Sequence, residues 1–284
     1  MFKRDLNKNT IVRLRCDKLF TERLELDIQK RIVFPAIRRG RVDFYQKGGK
    51  IFSYQNEFYT HKKYTAAIRS DKDYISESDL QQNKVEVITN FFDGYEQIKE
   101  NCSLYPGVEA EGVSRIYHKY PFTNNDSGVV VLDIEISFEA TSEERSQDRI
   151  DILLFNKKTQ ELRFYEAKHY SNSELWAVEG TLPRAVSQIQ RYEKQIQEEG
   201  KGILSEYCNY IRIVNELFGC GLPEPKSIDN KVTLLVFGYD RDQQRGRMQK
   251  ILLDDGSVAG IQHYFIGNIS AVNIDNMWKA VKCG

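Results

Sequence analysis

Arg149-Ile-Asp-Ile-Leu-Leu-Phe155 and Leu162-Arg-Phe-Tyr-Glu-Ala-Lys168, joined by Asn156-Lys-Lys-Thr-Gln-Glu161, decide how this chain is read. Both flanks are rich in aliphatic and aromatic residues and the joint is polar, the pattern of two strands and a turn. With the turn centred between Lys158 and Thr159, Asp151 stands opposite Glu166 and Arg149 opposite Lys168. Residues two apart on a strand share a face, which puts Glu166 and Lys168 together. Directly opposed Cβ atoms lie about 5 Å apart, and like charges so placed destabilise the pair unless something positive sits between them. A divalent, oxygen-seeking cation suits two facing carboxylates.

Near the turn both faces are apolar, as in a sheet buried on both sides. The charges gather on one face at the end away from the turn. Burying Asp, Glu and Lys there is costly unless they are paired or hold a metal, and such conflicts with the burial pattern are expected at functional sites. The competing reading is a solvated hairpin end, with Asp151 and Glu166 in ordinary cross-strand ion pairs to Arg149 and Lys168. The chemistry that fits the buried reading is metal-assisted phosphodiester hydrolysis. Asp151 and Glu166 would hold Mg²⁺ or Mn²⁺ with the Ala167 carbonyl as a third ligand, the rest being water. Lys168 would orient the attacking water or offset developing charge, and Arg149 would act as a phosphate clamp or stay solvated. Asp133 and Glu135 share a face of the preceding strand, as further ligands or as solvent-facing residues.

Outward from the hairpin, apolar spacing at Val85, Ile88, Phe92, Tyr95 and Ile98 predicts a helix over 85–101. Alternation predicts a strand at Val129–Phe138. Pro183 opens a helix to about Glu199, a second helix runs over 203–218, and Lys231–Tyr239 is a buried strand. A helix over 241–253, a strand over 262–269 and a helix over 273–282 follow. The fold class is mixed α/β.

Asp151, then Glu166-Ala-Lys168 after a hairpin-length spacer, resembles the PD-(D/E)xK nuclease family. Gln188-Ile-Gln-Arg-Tyr192 is similar to the QxxxY motif of its RecB-like subgroup. The resemblance covers roughly residues 85–240 and implies a restriction-endonuclease-like core of order αβββαβ, in which a mixed central sheet is flanked by helices. It also implies Mg²⁺-dependent cleavage of DNA, in restriction or phage defence among other settings, and leaves a homodimer open. Gln188 and Tyr192, one turn apart on a shared helix face, would support metal or phosphate placement. Ile150 stands where the family's proline would precede Asp151. For the acidic residue often found on the first core helix, Glu96 is the candidate, with Glu109 and Glu111 as alternatives.

The 284 residues carry 41 Lys+Arg against 41 Asp+Glu, unevenly placed. Residues 1–70 hold 17 bases and 7 acids. The expected division is therefore a basic, β-rich region over 1–84 and a nuclease-like domain over 85–284. Arg38, Arg39, Arg41, Lys62 and Lys63 are its candidate nucleic-acid contacts. Tyr45–Tyr54 reads as a hairpin turning at Gly48-Gly49. Aromatics interleaved with bases there serve either as a strand core or as stacking platforms for bases. No run of 18 apolar residues predicts a membrane span, and the start lacks the apolar stretch of a signal peptide. Five scattered cysteines without a CxxC fit reduced thiols in the cytoplasm. A non-catalytic nucleic-acid-binding protein on the same fold is the alternative reading. A hydrolase using Asp151 and Glu166 as acid and base would leave Lys168 without a role.

Overall fold

A computed structural model describes residues 2–65, 73–82, 88–138, 149–177, 181–254, 258 and 260–279. The protein is α/β and divides into two compact units, one of Lys3–Asn124 with Asn209–Gly221 and one of Met1–Phe2, Asn125–Cys208 and Leu222–Gly284. The first division thus falls at 124/125, forty residues beyond the expected 84/85. Packing explains the shift. Phe52 meets Phe91 at 5.4 Å, Phe34 meets Tyr117 at 5.2 Å, and the Tyr95 hydroxyl donates to Asp27 at 2.8 Å.

The N-terminal unit carries an antiparallel meander of β1 (Phe34–Arg38), β2 (Arg41–Gln46), β3 (Gly49–Tyr54), β4 (Phe58–His61) and β5 (Tyr74–Ser76). Phe44, Phe52, Tyr54, Phe58 and Tyr64 are buried, so these rings form its core rather than an open stacking surface. The β2–β3 turn is Lys47-Gly48, one residue earlier than expected, because Gln46 pairs with Gly49. Both turn residues have positive φ, +47° and +86°, the demand of the hairpin turn that matches strand twist. A Cβ on Gly48 would also lie 2.5 Å from the Ala110 carbonyl carbon. Gly48→Ala is therefore expected to destabilise the protein by about 2 kcal/mol or more, read as a lowered urea midpoint.

Ser76 and Asp79 form a reciprocal capping box for the helix Glu77–Gln81. The helix expected from Val85 begins instead at Tyr95 and runs to Cys102; positions 83–87 lie outside the described residues. Before it, the Asn90 side chain accepts the Asp93 N–H at 2.8 Å, a local turn that competes with helix. A helix at Val108–Lys119, not expected from the sequence, follows Gly107.

The second unit holds β6 (Val129–Ser137), β7 (Arg149–Asn156), β8 (Glu161–His169), β9 (Ser227–Phe237) and β10 (His263–Ile266) in the order β10-β9-β8-β7-β6. β6, β7 and β8 are antiparallel; β9 and β10 run parallel to their neighbours. The hairpin register is the expected one, Ile152↔Tyr165 through Asn156↔Glu161. Asn156 sets the turn by accepting the Lys158 and Thr159 N–H groups. Ile150, Ile152, Leu153, Leu154, Phe155, Leu162, Phe164, Tyr165 and Ala167 are buried, so the sheet is covered on both faces.

The two helices expected at 183–199 and 203–218 are one, Arg184–Phe218. Gly200 and Gly202 each cost about 1 kcal/mol of helix propensity, and the burial of Ile196, Ile203 and Tyr207 on either side offsets it. Arg241–Gln243 leads into a wide helical segment, Gln244–Asp254, interrupted at Gly246 rather than continuous. The last helix is Ile274–Lys279. Among the described residues no helix is long and apolar enough to cross a membrane.

Candidate active site

The β7–β8 ladder closes at Ile152↔Tyr165, one pair short of Asp151 and Glu166. The cause is Asp151 itself, whose Oδ2 accepts the Ala167 N–H at 2.7 Å and takes the place of a backbone acceptor on β7. A strand residue directs its N–H and C=O to the same side, so the Ala167 carbonyl also leaves toward β7. Burial lifts the Asp151 carboxyl well above the usual carboxylate range. The charges of Glu166 and then Glu135 lift it further, against the Ala167 N–H and Lys168.

Glu166 is 1% exposed and Lys168 7%, which rules out the solvated hairpin end. The Lys168 ammonium lies 3.0 Å from Glu166 Oε1 and 2.8 Å from Glu174 Oε2. Burial opposes its charge, yet Glu166 and then Glu174 hold its pKa above the ordinary lysine value. Lys168 is therefore an ammonium at neutral pH and no general base. Two of its three N–H donors face carboxylates, and one by count is left to face a water or a phosphate oxygen. Glu174 was not expected from sequence. It sits in the short helical turn Ser173–Leu175, where Asn172 Oδ1 accepts its N–H at 2.8 Å and Leu175 is fully buried. The Asn172 cap before it is the one local signal.

Glu135 stands opposite Asp151 from the other side, since Ile134↔Ile152 and Ile136↔Ile150 flank that position. The charges of Glu166 on β8 and Glu135 on β6 thus both act on Asp151 between them. Glu135 has φ +50°, a strained conformation for a non-glycine residue within a strand. Arg149 pairs with Glu135 at 3.3 Å rather than facing Lys168, and it is 59% exposed. Asp133 is neither solvent-facing nor free for a metal. It is fully buried and accepts the Tyr207 hydroxyl at 3.0 Å and the Ile134 N–H.

The helix Arg184–Phe218 reaches from β9, where Glu193 accepts the Val232 N–H, to β6, where Tyr207 meets Asp133. On it, Gln188 Nε2 donates to the Tyr192 hydroxyl at 2.7 Å and Tyr192 is buried, so the two do share a face. Glu96 lies in the N-terminal unit, 71% exposed and paired with Lys99 at 3.1 Å. Glu109 and Glu111 open the helix Val108–Lys119 in that same unit, Glu111 in an ion pair with Arg115.

Of the basic candidates, Arg38 and Arg41 surround the buried Asp43 together with Lys50, at 3.9, 3.0 and 3.8 Å. Burial would raise the Asp43 carboxyl, but Lys50, Arg38 and Arg41 outweigh it and hold it below its usual value. Arg39 and Lys63 are exposed, and Lys62 pairs with Asp73 at 3.3 Å.

Among the described residues no group of three or more His, Cys, Asp or Glu side chains is arranged to hold a metal ion. The donor set on offer is Asp151, Glu166 and the Ala167 carbonyl. Hard oxygens in that small number suit Mg²⁺, which keeps several waters and uses one or two carboxylates. Neither protein-family models, curated proteins nor solved structures yield a match to this chain.

Proposed function

We propose that the chain is a Mg²⁺-dependent nuclease that hydrolyses phosphodiester bonds of DNA, built on a PD-(D/E)xK core of the restriction-endonuclease-like type. The observation that carries the reading is the Asp151–Glu166–Lys168 cluster. Two carboxylates are pressed together at the end of a buried sheet, and a lysine beside them is held charged by Glu166 and Glu174. A structural role does not account for the like-charge pair, whereas a cation between the carboxylates would relieve it. The strand sequence β6-β7-β8, helix, β9 and the tied Gln188–Tyr192 pair support the same core. The helix that would open it, Tyr95–Cys102 or Val108–Lys119, is grouped with the N-terminal unit.

Asp151, Glu166 and the Ala167 carbonyl would hold the metal. When bound, Mg²⁺ supplies Lewis acidity at the scissile phosphate and a water of lowered pKa. Lys168, an ammonium, aligns that water or offsets charge on the phosphate oxygens. Glu174 fixes the Lys168 Nζ. The exposed bases Arg39, Arg41 and Lys63 supply phosphate contacts that carry affinity without reading sequence.

Purified protein with plasmid, single-stranded and RNA substrates in Mg²⁺ or Mn²⁺ tests the reading. Cleavage that disappears in EDTA and in Lys168→Ala is expected. Salt-sensitive binding with no cleavage in any metal would instead leave the non-catalytic binding protein.

A further inference from the structure

The turn that brings Glu174 onto Lys168 also carries the indole of Trp176, and this tryptophan is unlike the chain's other one. Trp278 is buried at 8% exposure, with Arg163 over its ring and that arginine in turn paired with Glu161 and Asp229. Trp176 is only partly buried. Its Nε1 donates to the Tyr170 carbonyl at 3.2 Å, and its ring meets the Tyr170 ring edge-on at 5.1 Å. The Arg247 guanidinium lies 4.1 Å over the indole. Arg247 is exposed, follows the helix break at Gly246, and among the described residues no carboxylate pairs with it. A half-open π surface and an exposed guanidinium therefore stand together. Trp176 lies two positions from Glu174, at most about 7 Å of backbone, which is within two nucleotide steps along a strand.

We propose that Tyr170, Trp176 and Arg247 form a binding site for an unpaired nucleotide next to the reacting centre, with the base against the Trp176 indole and the phosphate on Arg247. The proposal rests on the nuclease reading for its purpose. A base inside a duplex has its faces covered by its neighbours, so this site selects single strands, frayed ends or flaps over continuous duplex. Stacking on one aromatic ring is tolerant of base identity, so no sequence preference is expected from it.

The test uses the full chain with Ca²⁺ in place of Mg²⁺, a dT₁₂ oligonucleotide and a 12-base-pair duplex. The two tryptophans make intrinsic fluorescence the direct readout. In the parent, dT₁₂ quenches it; in Trp176→Phe, where only the buried Trp278 remains, the quench is lost while dT₁₂ still binds. Trp176→Ala lowers the preference for dT₁₂ over duplex about tenfold, and Arg247→Ala, an exposed change that leaves the indole in place, lowers it as well. An unchanged preference in both alanine variants, an absent quench, or a folded parent that does not bind dT₁₂ overturns the proposal. Cleavage in Mg²⁺ with no quench sinks this site and spares the nuclease reading. Quenched binding without cleavage does the reverse.

Discussion

Asp151→Asn is expected to abolish Mg²⁺-dependent cleavage and, in the metal-free protein, to raise the unfolding temperature. The activity loss is about a thousandfold or more, roughly 4 kcal/mol of transition-state stabilisation, since asparagine cannot supply the charge that holds the cation. The stability gain follows from the sign of the perturbation. The Asp151 carboxyl titrates above its ordinary value in the folded state, first through burial and then through Glu166 and Glu135. Its unfolded value is about 3.9. Its contribution is therefore most favourable below that pH and is lost as pH rises through the raised folded value. At neutral pH the raised folded value therefore weighs against folding. Asparagine removes the repulsion and still offers an oxygen to the Ala167 N–H. A rise of at least about 2 °C is expected, measured by thermal unfolding in EDTA, with Mg²⁺ then stabilising the parent but not the variant. Because metal must displace the proton from Asp151, added Mg²⁺ should also move the acidic limb of the activity profile to lower pH. A variant that is less stable than the parent and still cuts would remove Asp151 from the site.

Much of this site is legible in the sequence because it is local. The hairpin register follows from the length of a polar joint between two apolar runs, and it holds in Ile152↔Tyr165 through Asn156↔Glu161. What pattern alone does not give is where the ladder stops, since that depends on a side chain, Asp151, competing for the Ala167 N–H. Glu174 escapes the pattern for a related reason. It lies in a three-residue turn whose position is fixed by the Asn172 cap and buried Leu175, and no period marks it. Asp133 has the look of a polar position on an alternating strand. Its burial depends on Tyr207, a partner 74 residues away on a helix read as broken by Gly200 and Gly202. The N-terminal compact unit runs past the change in composition near 84 because the contacts that define it, Phe34–Tyr117 and Tyr95–Asp27, are long-range.

Lys168→Ala is expected to lower cleavage about a hundred- to a thousandfold and, unlike Asp151→Asn, to lower stability. The lysine is held above its ordinary pKa, with Glu166 the larger favourable cause and Glu174 the next. Its unfolded value is about 10.4, so its stabilising contribution is complete below that pH and is lost only as pH rises through the raised folded value. The ion pairs are intact across the neutral range. Alanine removes the ammonium that lies 3.0 Å from Oε1 of Glu166, which is 1% exposed and whose charge acts against that of Asp151. Breaking a buried pair in this way costs about 3–5 kcal/mol. The half-open Glu174 adds little, since exposed pairs contribute about 0–1 kcal/mol. Urea unfolding of Lys168→Ala against Lys168→Ala/Glu166→Gln separates the two roles of the lysine. The double variant should recover most of the lost stability, because glutamine carries no charge to be stranded, and it should recover none of the cleavage. Equal stability of the single variant and the parent would mean that Lys168 does not neutralise Glu166. Recovery of cleavage in the double variant would mean that Lys168 serves the fold alone, and the acid pair would then act without it.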